Sequence, residues 1–331
     1  MTASWLAPIW QQLTKRIESN SLSGGVLLLG DPGLGAIPLA KALARVLLCE
    51  TSNTRACGEC SGCRWVAQEQ HPDLLVIQPD ANTQVIKVDA IREMTDSLTQ
   101  KASRGGYQVV IITVADALNV ASSNALLKTL EEPAGQVVFF LCCAQQRALL
   151  PTIVSRCEQL TLPSVEYEQA RDWLSTHHGG LGKPEQWLRW AEGAPYAITD
   201  LIDQQYEQWR DQLFSDFHQM AMKKADGLSL VSAWQKIPVS LMVRVLTSLM
   251  MDLIRLQSSA ADERLMHRDT MDTLKTMAAL LPSEVVWRYY DYLMEMQPYI
   301  KAGTVNERLI RDQLALSWEG CLDGKQELLR C

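Results

Sequence analysis

The sequence predicts an α/β domain built on a parallel sheet, followed by an all-helical region. Apolar runs of strand length alternate with helix-length segments over the first 160 residues, an order typical of a parallel sheet with helical crossovers. The runs at 107–116 and 137–141 are almost continuously apolar, as in strands that are buried on both faces. Beyond about residue 206, apolar residues recur every three or four positions, which favours helices.

Length, composition and charge limit the class of protein. The 331 residues suffice for two or three domains, and 47% of them are apolar, as in globular proteins. The sequence has no run of about 18 apolar residues, and its first residues lack the basic stretch and apolar core of a secretory signal. We therefore expect a cytoplasmic protein without membrane contact. A formal net charge of −7 argues against strong nucleic-acid binding by this chain alone.

The first elements follow in the order helix, strand, turn, helix. Apolar residues at every fourth position predict an amphipathic helix over residues 5–20. Residues 25–29 are a short apolar strand, and residues 38–48 form a helix whose apolar residues share one face. The glycine-rich turn 30–37 between them has the placement of a phosphate-binding P-loop, GxxxxGK[ST].

This turn keeps the glycines of a P-loop and lacks its ligands. Gly30 and Gly35 are in register and Gly33 lies between them, so the backbone turn is preserved. Ala36 replaces the lysine that would reach the phosphates, and Ile37 replaces the hydroxyl that would hold Mg²⁺. An ordinary strand-to-helix turn would have the same glycines, so this alternative stays open at this point.

A second set of ATPase residues is also missing. In a P-loop ATPase, the strand predicted over 107–116 would end in an acid that holds Mg²⁺, followed in many families by a glutamate that activates water. Those two positions are Thr113 and Val114. The loss of both sets indicates a nucleotide-binding fold that no longer uses a nucleotide.

Four cysteines follow the helix at 38–48 in the pattern C-x7-C-x2-C-x2-C. Thiolates from two overlapping CxxC pairs can converge with a fourth cysteine on one tetrahedral ion, so the pattern predicts a closed, structural zinc site. Free thiols, a redox CxxC pair and an iron–sulfur cluster are the alternatives, although the Cys-Pro that follows in the ferredoxin pattern is absent. The odd total of nine cysteines does not suggest a disulfide framework. The predicted ligands are Cys49, Cys57, Cys60 and Cys63.

Two further segments are specific enough to indicate a family. They are NALLKTLEEP at 124–133, which ends a predicted helix, and LLPTIVSRC at 149–157. Together with the cysteine insertion and the strand–helix order, they resemble the bacterial clamp-loader subunits of the AAA+ class, strongly over residues 20–200 and weakly beyond. The resemblance implies an AAA+ P-loop domain over 1–160 with a zinc module at 49–63, a small helical lid over 161–205 and a helical collar over 206–331.

The resemblance also implies roles for individual residues. Ser155-Arg156-Cys157 matches the motif whose arginine points into the ATP site of the neighbouring subunit, so Arg156 is the expected arginine finger acting in trans. An ordinary surface or ion-paired arginine is the alternative. The four clustered cysteines match the zinc ligands of the family, and Cys157 is not one of them. Tyr196 stands where the second sensor motif would carry an arginine.

The implied function is that of a clamp-loader subunit that binds and hydrolyses no ATP. It would supply a trans arginine finger and a rigid surface while the complex, within a DNA polymerase holoenzyme, loads the sliding clamp onto primed DNA. Its implied partners are ATP-binding subunits of the gamma/tau type and a delta subunit, in a five-membered ring. A nucleotide-binding motor subunit of the same complex, a zinc-containing nucleic-acid-binding protein and a redox protein remain as alternatives.

Two pairs of polar residues have less specific interpretations. His177 and His178 precede a glycine-rich turn with no cysteine or carboxylate at ligand spacing, so we expect a solvated loop there. Glu131 and Glu132 precede Pro133, and we interpret them as the last turn of a packed helix instead of an acid/base pair.

Overall fold

The computed structural model describes residues 3–52, 54–80, 83–99, 102–103, 106–258, 264–301 and 306–324, with only the backbone of Lys301. These residues form two compact units. The first runs to Gly182 and also contains 193–197, and the second contains 183–192 and the described residues from Ile198 onward. The division into three domains, with boundaries near 160 and 205, stays a prediction.

The first unit is an α/β structure around a five-stranded, fully parallel sheet, as the sequence predicts. Its strands are β1 Gly24–Leu29, β2 Leu74–Ile77, β3 Gln108–Ile112, β4 Val137–Cys143 and β5 Cys157–Thr161. They lie in the order β2-β3-β4-β1-β5, so β4 is central, β1 lies next to it, and β2 and β5 are at the two edges.

Two strands differ from the sequence prediction. The strand expected over 107–116 ends at Ile112, because Ala115–Ala117 turns into a short 3-10 helix whose first residue is buried. An apolar run alone does not show where a buried strand gives way to a buried turn. The sequence does not predict the edge strand β5, because its CEQLT segment has only two buried residues, Cys157 and Leu160, and no apolar run.

Helices cover both faces of this sheet, and the central core lies between the sheet and the helices at residues 88–98 and 120–131. Val110, Phe139 and Leu141 of the sheet pack with Ile91 and Leu126 of these helices, all fully buried. The helices of the first unit are α1 Ala7–Glu18, α2 Ala36–Leu47, α3 Ser61–Ala67, α4 Val88–Leu98, α5 Val120–Glu131, α6 Pro151–Val154 and α7 Tyr167–His177.

The second unit is all-helical within its described residues, as the three-to-four spacing of apolar residues predicts. Its core contains four buried aromatic rings, Phe217, Trp234, Tyr289 and Trp318, and the Phe217 ring lies 5.4–5.9 Å from the other three. The helices are α8 Pro184–Trp190, α9 Ala197–Asp203 (whose first residue belongs to the first unit), α10 Tyr206–Ala221, α11 Gly227–Val231, α12 Val239–Gln257, α13 Met271–Leu280, α14 Ser283–Lys301 and α15 Glu307–Leu322.

A buried polar cluster also lies in this second unit. The Asp252 carboxylate accepts the backbone N–H groups of Met266 (2.9 Å) and His267 (2.8 Å), and the His267 Nε2 and Ser248 Oγ atoms are 2.9 Å apart. Burial, together with the charges of Arg210 and Arg189, lowers the pKa of His267 well below its ordinary value. Across the described ranges, none of the helices combines the length and the hydropathy needed to span a membrane.

Candidate functional site

The glycine turn predicted from the sequence is present at the carboxyl end of β1. Gly30 donates its N–H to the Cys143 carbonyl (3.0 Å), which continues the ladder between β1 and β4. Gly33 (φ 89°) and Gly35 (φ 104°) are both left-handed, a conformation that side chains with a Cβ rarely adopt. Helix α2 then begins at Ala36, in the position where a P-loop has its lysine.

The backbone of this turn is bonded to other parts of the same unit. The Tyr196 N–H donates to the Gly33 carbonyl (3.0 Å), and the Trp5 indole N–H donates to the Leu34 carbonyl (2.8 Å). The turn is therefore held by two segments that are far apart in the sequence, near residues 5 and 196.

Side chains fill the space next to the two left-handed glycines. A Cβ at Gly35 would lie only 2.6 Å from Cε2 of Tyr196, and a Cβ at Gly33 would lie 2.6 Å from the Ala197 Cβ. The Trp5 and Tyr196 ring centroids are 6.0 Å apart, and Trp173 lies 4.7 Å from Tyr196. An aromatic cluster of Trp5, Trp173 and Tyr196 thus packs against the turn beside Gly35.

The two histidines expected in a solvated loop lie at the end of α7. His177 is the last residue of that helix, and its ring stacks on Trp173 with centroids 4.3 Å apart. The part of this expectation that places His177 in a loop is therefore wrong, because the aromatic cluster extends α7 to this residue. No cysteine or carboxylate joins either histidine in a metal-ligand group among the described residues.

The two positions directly after β3 carry no carboxylate. Thr113 directly follows the strand, and both its N–H (3.0 Å) and its hydroxyl (3.2 Å) donate to the Ile77 carbonyl. Val114 comes next and its side chain is exposed. Neither residue offers a carboxylate to Mg²⁺ or to water, so these two positions supply none of the usual ATPase chemistry.

The four predicted cysteine ligands converge at the end of α2. Their Sγ atoms all lie within 4.8 Å of one another, and those of Cys57 and Cys63 are 3.9 Å apart. A tetrahedral zinc with Zn–S bonds of about 2.3 Å requires sulfurs roughly 3.8 Å apart, so the spacing fits one such ion. Gly62 permits this convergence, because a Cβ there would lie 2.4 Å from the Leu48 carbonyl oxygen.

Backbone N–H groups surround these sulfurs. Cys57 Sγ accepts the N–H groups of Glu59 (3.4 Å) and Cys60 (3.3 Å), and Cys60 Sγ accepts that of Cys63 (3.3 Å). Hydrogen bonds from Thr51 and from these amides lower the pKa of Cys57 to about 6, whereas burial raises the pKa of Cys63 to about 12. A bound cation would favour the thiolate at all four positions, and the all-sulfur donor set suits zinc.

Arg156 lies between α6 and β5, at the amino ends of the strands, whereas the glycine turn lies at their carboxyl ends. Its neighbour Cys157 pairs with Gly25 near the start of β1, whereas the turn begins five residues later at Gly30. At about 3.3 Å per residue, these two ends of β1 are roughly 16 Å apart. The guanidinium therefore cannot reach the glycine turn of its own chain.

The Arg156 side chain is 37% exposed and is held by three acceptors. Nη1 donates to the Thr152 carbonyl (3.0 Å) and to the Ser155 hydroxyl (3.4 Å), and Nη2 forms an ion pair with Glu131. Cys157, by contrast, is buried within the core, and burial raises the pKa of its thiol to about 11. Of the Ser-Arg-Cys motif, the first two residues are exposed, and the third is the first residue of β5 and is buried in the core.

Two features of the site were not expected from the sequence. One is the aromatic cluster on the glycine turn, which depends on contacts between residues near 5, 173 and 196. The other is the ion pair of Glu131 with Arg156, which joins the segments at 124–133 and 149–157. The interpretation of Glu131 as part of a helix end is compatible with the structure, since α5 ends at this residue.

Comparisons with known proteins agree with one another. Residues 5–166 match the family model described as DNA polymerase III, delta subunit, and residues 204–320 match the model of the C-terminal part of that subunit. The DNA polymerase III subunit delta' of Yersinia pestis is 31% identical over 96% of this chain and 95% of its own length. That of Pseudomonas aeruginosa is 29% identical over 95% and 96%, respectively. The DNA polymerase III subunit tau of Escherichia coli is 38% identical over 45% of this chain and 23% of its own length.

Proposed function

The chain belongs to the family of DNA polymerase III delta' subunits, and from this premise we propose that it acts as a clamp-loader subunit without ATPase activity. In this role it offers Arg156 to the ATP site of a neighbouring subunit and gives the complex a rigid surface. The neighbours are ATP-binding subunits of the gamma/tau type and a delta subunit, in a five-membered ring.

The position of Arg156 is the observation that carries this proposal. An arginine finger must be accessible, permanently charged and able to present a planar fork of N–H groups to phosphate oxygens. Arg156 is partly exposed and lies at the opposite end of the strands from the glycine turn of its own chain. These two ends of β1 are roughly 16 Å apart, at about 3.3 Å per residue. A phosphate that it stabilises would therefore belong to another subunit.

The glycine turn supports the absence of ATP hydrolysis. A triphosphate needs the lysine and hydroxyl that Ala36 and Ile37 replace. Thr113 replaces the acid that would hold Mg²⁺, and Val114 replaces the glutamate that would activate water. Tyr196 also lies 2.6 Å from where a Cβ on Gly35 would be, and Ala197 lies 2.6 Å from where a Cβ on Gly33 would be. The turn keeps its shape through contacts with the protein instead of with a ligand.

The cysteine centre would hold a structural zinc. Cys49, Cys57, Cys60 and Cys63 would supply four thiolates, so no coordination position would remain open for water or substrate. The ion would fix the segment between α2 and α3, and the chain's own N–H groups would share the thiolate charge.

The complex would act in the cytoplasm on the sliding clamp and primed DNA. With a net charge of −7, this chain would leave most phosphate contacts to its partners. We further propose that residues 161–205 form a lid and residues 206–331 the collar by which the subunits join.

Replacing Arg156 by Ala in the reconstituted complex tests the proposal. Single-turnover ATP hydrolysis at the adjoining site should fall by roughly 10³-fold or more, the contribution of an arginine finger. Arg171→Ala is a matched control, because Arg171 is similarly exposed (46%) and also pairs with a glutamate. Gel filtration must show an intact ring in both cases. An unchanged rate at the adjoining site with Arg156→Ala refutes the role.

A further inference from the structure

Glu131 and Arg156 come from different elements and meet on the surface of the first unit. Glu131 is the last residue of α5, and Arg156 follows α6. Their side chains are 47% and 37% exposed, so the ion pair is accessible from outside. It joins the two sequence segments that identify the family, and the proposed finger role assigns no function to the glutamate.

The core beneath the pair fixes the distance between its two residues. Leu130 and Cys157, the chain neighbours of Glu131 and Arg156, are both buried and approach Gly25 of β1. A Cβ on Gly25 would lie 3.3 Å from Leu130 Cδ2 and 2.5 Å from Cys157 Sγ. The absence of a side chain at Gly25 therefore lets the end of α5 and the start of β5 approach each other.

The contacts of Arg156 restrict its orientation without using all of its donors. The Thr152 carbonyl and the Ser155 hydroxyl accept from Nη1, and Glu131 accepts from Nη2. A guanidinium has five N–H groups, so at least two remain for an incoming anion. A long side chain that is already held in place loses less conformational freedom when it binds.

We propose that Glu131 is a positioning residue, which holds Arg156 in the orientation from which it reaches the phosphates bound by the neighbouring subunit. This inference rests on the proposed function of Arg156. Thr152 and Ser155 are neighbours of Arg156 in the chain, whereas Glu131 ties the guanidinium to the end of a separate helix. Glu132, the next residue, forms no ion pair within the described part of the chain and provides a natural comparison.

The test is Glu131→Gln in the reconstituted complex, with Glu132→Gln as the matched control. Glu131→Gln should lower kcat at the adjoining site by roughly 10- to 100-fold with little change in KM, as when the support of a catalytic group is removed. Glu132→Gln should leave both constants unchanged. The thermal midpoint of the isolated chain should hardly change, because exposed ion pairs contribute little to stability.

A double variant separates positioning from an independent effect. If Glu131 acts through Arg156, the Glu131→Gln/Arg156→Ala double variant should hydrolyse ATP no more slowly than Arg156→Ala alone. Additive losses would overturn the inference, and so would an unchanged or higher kcat for Glu131→Gln. A higher kcat would mean that Glu131 competes with the phosphate for the Arg156 guanidinium. If Arg156→Ala is slow in any of these cases, the proposed role of Arg156 still stands and only the role of Glu131 is refuted. If Arg156→Ala has a normal rate, the proposed function is refuted as well.

Discussion

Replacing Gly25 by Ala should destabilise the first unit through a single added methyl group. Gly25 lies within β1, between Cys157 of the edge strand and Leu130 of α5. The new Cβ would be 2.5 Å from Cys157 Sγ and 3.3 Å from Leu130 Cδ2. Because favourable contacts between non-bonded atoms begin near 3.5 Å, the thiol would have to move by about 1 Å within a closely packed core.

The expected cost follows from two opposing effects. Forcing an extra methyl group into a packed core costs about 1–3 kcal/mol. Replacing glycine within a strand recovers roughly 0.5–1 kcal/mol of conformational entropy. The central values, about 2 and about 0.75 kcal/mol, leave a net loss of about 1 kcal/mol in the free energy of unfolding. This loss corresponds to a fall of roughly 2–4 °C in Tm for a unit of this size.

Thermal unfolding followed by circular dichroism, with zinc in the buffer, measures this loss. Gly135→Ala is the control, since a Cβ at Gly135 would meet no atom within 4 Å and the glycine has no positive φ. Cys157→Ala should reduce the cost of the Gly25 substitution, so that the double variant is more stable than the two single losses predict when added. An unchanged Tm for Gly25→Ala, or strict additivity in the double variant, would refute the packing argument.

Three further predictions concern the glycine turn, the cysteine centre and the second unit. Fluorescence titration of the chain with an ATP analogue and Mg²⁺ should show no binding. Binding should stay absent after Ala36→Lys and Ile37→Thr restore the P-loop sequence, because the Tyr196 ring still fills the space beside Gly35. Saturable binding by the double variant would contradict this expectation. The purified chain should contain about one zinc, and Cys60→Ser should lower both the zinc content measured by atomic absorption and the Tm, unlike a cluster of free thiols. The pKa of His267 is lower in the folded chain than its ordinary 6.5, so its contribution to stability is complete above about pH 6.5 and is lost as the pH falls below that value. His267→Gln should therefore reduce the fall in Tm between neutral and acidic pH. An identical fall in Tm for the variant would exclude His267 as its cause.

Features set by short segments could be predicted from the sequence. The strand, glycine turn and helix that end at Leu47 depend on local spacing and on glycines with positive φ. The convergence of Cys57, Cys60 and Cys63 follows from their two-residue spacing, with Cys49 joining from the end of α2. The helices of the second unit follow from the period of their apolar residues.

Features that depend on distant residues could not be predicted in this way. Tyr196 reaches the glycine turn across more than 150 residues, and no local pattern indicates which side chain fills the space beside Gly35. The edge strand β5 pairs on one side only, so its sequence lacks the apolar run of a central strand. The Glu131–Arg156 pair depends on how closely two elements approach at Gly25, which becomes visible only once the core is assembled.

The aromatic cluster on the glycine turn has a consequence for how this subunit responds to its surroundings. A protein that binds a nucleotide gains stability as the nucleotide concentration rises, because binding draws the equilibrium towards the folded, bound state. Here the Trp5 indole N–H and the Tyr196 backbone N–H donate to carbonyl groups of the turn, and because both belong to the same chain, this contribution to stability does not depend on the concentration of any ligand. Under the proposed function, this subunit would keep one conformation while its neighbours pass between nucleotide states, and it would be insensitive to the energy charge of the cell.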